Sequence, residues 1–122
     1  MKKLLILSIS LLTLSFTSNF FAHDLKGAVA SEDRTPKNVV RDIYRHPYET
    51  LEFFGIKQDM TVVELSPGGG WYTEILANYI HYPGTLIAAH FNPDAGGYYK
   101  RGRANFEKKM NSNAMYGRVE IV

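Results

Sequence analysis

The chain has 122 residues, 45% apolar and 21% charged, which fits one small globular domain and excludes a disordered chain. It has no cysteine, so disulfides, thiolate zinc sites and a cysteine nucleophile are excluded. Lys2 and Lys3 account for the formal charge of +2; beyond residue 22, twelve basic residues meet twelve acidic ones, so no nucleic-acid partner is expected.

Met1-Lys2-Lys3 and the apolar run Leu4 to Phe16 read as the basic and hydrophobic regions of a signal peptide, too short for a stable membrane span. Cleavage is placed near Ala22, although Phe20 is large for the −3 position. Ala28-Val29-Ala30 fits the small-x-small rule better but lies after Asp24 and Lys26, and an uncleaved anchor is the alternative. Residues 1–22 therefore predict a periplasmic or secreted protein. Residues 23–37 are polar and mixed and read as a linker.

The folded domain is expected over 38–122. Asn38 is placed to cap a helix reaching Arg45, with Val39, Val40, Ile43 and Tyr44 on its apolar face. Pro47 breaks it, a second helical piece runs from Tyr48 to Phe54, and Gly55 is placed to end that piece. Thr61-Val62-Val63-Glu64-Leu65 is a near-continuous apolar run, as in a strand buried on both faces. Pro67 ends it, Gly68-Gly69-Gly70 allow a tight turn, and Trp71 to Ile80 is helical by its spacing of Trp71, Ile75, Leu76, Tyr79 and Ile80. Tyr82-Pro83-Gly84 is a turn, and Thr85 to His90 is a second strand. Tyr98 to Asn111 is a helix with Tyr99, Gly102, Phe106 and Met110 on one face. Its basic face, with Lys100, Arg101, Arg103, Lys108 and Lys109, is either solvated or an anion site. Arg118 to Val122 begins a third strand.

Alternating helices and strands predict an α/β fold: a partial Rossmann-like parallel sheet of three strands, order 3-2-1, with helices on its faces. That order leaves the Thr61–Leu65 strand at an edge. The sequence stops within the apolar run Val119-Glu120-Ile121-Val122, so the domain is expected to be truncated and to self-associate through the exposed edge.

A strand, glycine loop and helix form a candidate small-molecule site, because ligands of open α/β sheets lie outside the strands' carboxyl ends. The glycine run is also compatible with a plain turn. The dinucleotide pattern fails at Thr73, where a third glycine is needed. A P-loop lacks its lysine, and a nucleophile elbow is broken by Pro67. No metal cluster is expected.

Glu64-Leu65-Ser66-Pro67-Gly68-Gly69-Gly70 resembles the first motif of class I S-adenosylmethionine-dependent methyltransferases, with Ser66 where that family usually has its first glycine. Phe53 to Lys57 and Trp71 to Leu76 look like a bacterial subgroup of predicted methyltransferases that carry signal peptides. The resemblance covers about residues 38–122 and implies the cofactor-binding front half of such a domain, inactive as this fragment. It implies S-adenosylmethionine as cofactor, with Glu64, Ser66, Gly68, Gly69, Gly70 and His90 around it. Glu64 would sit beside the methionine part, and is otherwise an acceptor that organises the loop. His90 stands at the end of strand two, where the family places an acid for the ribose hydroxyls; it is otherwise a strand-end residue with a satisfied ring. Asn92 or Asp94 would be its substitutes. No catalytic base, nucleophile or methyl acceptor is named. The alternative is a non-catalytic small-molecule or protein-binding module on the same fold.

Overall fold

The computed structural model describes residues 24–122; the signal peptide read over 1–22 lies outside the described residues. The helices and strands are α1 (Leu25–Val29), α2 (Pro36–Val39), α3 (Asp42–Arg45), α4 (Pro47–Phe53), β1 (Thr61–Leu65), α5 (Trp71–Tyr79), β2 (Thr85–Ala89), α6 (Gly97–Met110) and β3 (Glu120–Ile121). Single 3-10 turns at Pro93–Ala95 and Ala114–Tyr116 lead into α6 and β3.

The three strands are parallel in the order β1-β2-β3, the predicted order read from its other edge. Thr61 lies opposite Thr85, Leu65 opposite Ala89, and Ile87 opposite Glu120. The ladder continues past the strand ends: the Ser66 N–H donates to Ala89 O at 2.9 Å and the His90 N–H to Val122 O at 3.0 Å. This pins the start of the glycine loop to the end of β2.

Right-handed crossovers that step across a sheet in one direction place their helices on one face. The burial follows that rule. Leu86 and Ala88 of β2 are buried with Ile75 and Leu76 of α5 and Phe106 and Met110 of α6, and Val62 and Ile121 pack against them. The alternate residues point away: Val63 is 52% and Leu65 78% exposed. The run that reads as a strand buried on both faces is thus an edge strand with one bare face, because the winding never reverses to bring a helix to the other side.

Residues 24–37, read as a linker, are folded onto the domain. Asp24 caps α1 by accepting from the Gly27 N–H at 2.7 Å, Ala28 is fully buried in the core, and Arg34 is buried. The single helix expected from Asn38 to Arg45 is split into α2 and α3. Pro36 opens α2, so its cap is Thr35, and Asn38 is a buried residue inside it. The Asn38 carbonyl accepts from Trp71 Nε1 at 2.8 Å, and Val40, Ile43 and Tyr44 remain exposed. Pro47 does more than break a helix; it is the first residue of α4. Gly55, at φ +64°, ends α4 as predicted: its N–H donates to Glu52 O and the Ile56 N–H to Leu51 O, the paired bonds of a Schellman end.

Candidate functional site

The loop between β1 and α5 needs left-handed backbone at three positions: Ser66 at φ +54°, Gly68 at +59° and Gly70 at +80°. Serine is an uncommon occupant of that region, which a glycine would enter without strain. The three glycines differ in surroundings. A Cβ on Gly70 would lie 3.1 Å from the Phe106 ring, whereas one on Gly68 or Gly69 would meet nothing within 4 Å. Gly70 is therefore a packing glycine, and Gly68 and Gly69 leave open space beside bare backbone.

That space is a cleft of about 580 Å³ between the loop and α6. Gly68 and Gly69 follow β1 and Phe91 follows β2, so the cleft lies at the carboxyl ends of the strands, where the fold predicts a ligand. Thr35, Lys37 of α2, and Tyr98, Arg101, Gly102, Asn105, Phe106 and Lys109 of α6 complete its lining.

His90 faces the loop with both ring nitrogens engaged. Its Nδ1 accepts from the Phe91 N–H at 2.7 Å, so Nε2 carries the proton and donates to the Gly68 carbonyl at 3.0 Å. The ring also packs on Phe106, centroid to centroid 4.7 Å. His90 thus fixes the loop and offers no acceptor to a ligand. The candidates to replace it do not line the cleft: Asn92 Oδ1 accepts from the Asp94 N–H at 2.9 Å and caps the following turn.

Glu64 points from β1 toward α5 and accepts from Thr73 Oγ1 at 2.6 Å. It borders a shallow depression with Val62, Tyr72 and Leu76, not the cleft lined by Gly68 and Gly69. Burial pushes its carboxyl above the usual range, and the Thr73 hydrogen bond opposes that shift. Of the six residues expected around a cofactor, Gly68 and Gly69 form cleft wall and His90 braces Gly68. Gly70 packs on Phe106, while Glu64 and Ser66 lie off the cleft.

Sequence reasoning missed the charged centre beneath this site. Glu74, in α5, is fully buried. Its carboxylate accepts from the Thr35 N–H at 3.2 Å and from the Thr35 hydroxyl, forms an ion pair with Lys109, and lies 4.0 Å from Arg34 Nε. Arg34 in turn holds Asp42 through two hydrogen bonds, 2.6 and 2.9 Å long. Lys109 also donates to the Gly69 carbonyl at 2.8 Å, which ties the buried network to the loop. The available signal was Glu74 itself, a lone charge in the apolar run of α5. A buried carboxylate needs counter-charges, and these come from elements remote in sequence. Among the described residues no group of His, Asp and Glu is placed to hold a metal, and no helix is long and apolar enough to cross a membrane.

Comparison with protein-family profiles, with curated proteins and with solved structures gave no match.

Proposed function

We propose that this chain is the cofactor-binding front half of an exported methyltransferase-like protein, with S-adenosylmethionine as the small molecule at its glycine loop. The observation that carries the reading is the strand–glycine loop–helix opening at Gly68 and Gly69 onto a cleft at the strands' carboxyl ends. Export is supported by the Lys2-Lys3 and Leu4–Phe16 pattern. The residues fit the cofactor in part. Bare backbone at Gly68 and Gly69 suits close approach of its methionine part. The end of β2 does not suit its ribose, because His90 lacks the free acceptors that two hydroxyls require. The cofactor would be held by the loop without a ribose clamp, and no reaction step follows from the residues of this chain.

Calorimetric titration of the full chain with S-adenosylmethionine tests this. Binding is expected, and Gly68→Val should abolish it, because a branched side chain would enter the cleft and oppose φ +59°. Normal binding by a folded Gly68→Val variant would reduce the loop to a turn. The second reading, a binding module that has kept the fold without the chemistry, is favoured by one observation. The residue at the ribose position is spent on the protein's own loop.

A further inference from the structure

The loop carbonyls that border the cleft are already engaged, and its lining carries cations without an acid. The Gly68 carbonyl already accepts from His90 and the Gly69 carbonyl from Lys109. The N–H groups of Gly68 and Gly69 meet no protein acceptor among the described residues. Charge follows the same pattern. Within the buried network, Arg34 and Lys109 are balanced by Glu74 and Asp42. Lys37 and Arg101, also in the cleft lining, have no carboxylate within ion-pair distance among the described residues. The lining adds two aromatic rings, Phe91 and Tyr98, 6.4 Å apart between centroids and tilted by 40°.

Two unbalanced cations with free backbone donors attract an anion, and an aromatic wall favours a flat apolar body. We propose that the cleft binds a small aromatic acid, with Lys37 and Arg101 holding its carboxylate and Phe91 and Tyr98 meeting its ring. The proposal rests on the cleft being the small-molecule site, and it names the class of compound that binds beside the loop. A sulfonium cofactor also offers these cations a carboxylate but brings two positive charges of its own, so the titrations below compare the two ligands.

The test is titration of the full chain with 4-hydroxybenzoate, with neutral 4-hydroxybenzyl alcohol and with acetate. The aromatic acid should bind about tenfold or more tightly than either control, and Lys37→Gln and Arg101→Gln should each weaken it about tenfold. Both side chains belong to exposed residues, so the variants should fold. Lys108→Gln, on the same helix but outside the cleft lining, should leave binding unchanged. Equal affinity for the alcohol, indifference to Lys37→Gln and Arg101→Gln, or equal sensitivity to Lys108→Gln would overturn the proposal. S-adenosylmethionine titrated in parallel separates the two ideas. If it binds and the acid does not, only the acid site is lost; if neither binds, the cleft is not a ligand site.

Discussion

Glu64 carries a charge that its surroundings disfavour. Its carboxyl titrates above the ordinary 4.5, first because burial penalises the ionised form. The folded state then holds this proton more tightly than the unfolded chain does. The contribution to stability is fully present below the ordinary carboxylate value and is lost as pH rises through the raised one. Glu64→Gln removes that loss and still leaves an oxygen to accept from Thr73. Thermal melts from about pH 4 to about pH 8 should show the wild-type chain losing stability just above the ordinary value, and the variant losing less. An unchanged slope in the variant would assign the pH dependence to other groups. At the same scale, the glycine run was legible as a turn beside a ligand, but its division of labour was not. That Gly70 packs on Phe106 while Gly68 and Gly69 stay open depends on a ring thirty-six positions beyond Gly70.

Helix α5 anchors the N-terminal helices, and Glu74 is one of the joints. Replacing Glu74 by alanine would leave Arg34 and Lys109 with one counter-charge fewer in the interior. The expected cost is about 3–5 kcal/mol, the range for breaking a buried pair from one side. Glu107→Ala removes the partner of Arg103 on the surface of α6, a pair spaced four residues apart, and should cost only about 0.3–0.5 kcal/mol. Urea unfolding of the two variants compares them directly; similar midpoints would mean that the Glu74 network adds no stability. The elements β1, α5, β2 and α6 were legible in the sequence to within about one residue at most ends, because the strands are apolar runs, the helices carry apolar residues at helical spacing, and a proline or glycine stands near most boundaries. The segment from Leu25 to Arg45 was not. Its helices are short, and what places them is contact with α5: Asn38 accepting from Trp71, Thr35 donating to Glu74, Ala28 filling the core. Local pattern does not encode partners so far along the chain. The choice between the two roles read for His90 stayed open for a related reason, and the structure shows the satisfied ring. The position of His90 at the end of β2 was readable, but its bond to Gly68 needs the loop twenty-two residues earlier.

At the scale of the whole molecule, one sheet face is packed and the other is bare. Val63, Leu65 and Val122 are exposed on the bare side, and β1 has no strand on its outer edge among the described residues. Exposed apolar strand faces and unpaired edges favour association with another chain. Sedimentation velocity should show concentration-dependent self-association, and Leu65→Lys should return the protein to monomer without lowering its melting temperature. A monomer at all concentrations would mean the face is tolerated in water. The direction of winding has one more consequence. Helices α5 and α6 both lie on the packed side, so the described sheet contains no point at which the chain reverses its march across the strands. A parallel strand added outside β1 through a right-handed connection would bring its helix over the bare side, and the loops leaving the two neighbouring strands would diverge. The gap between them would open above Leu65 and Ser66, on the flank of the glycine loop away from β2. The sheet as described builds one wall of such a crevice, and the free edge of β1 marks where the opposite wall would stand.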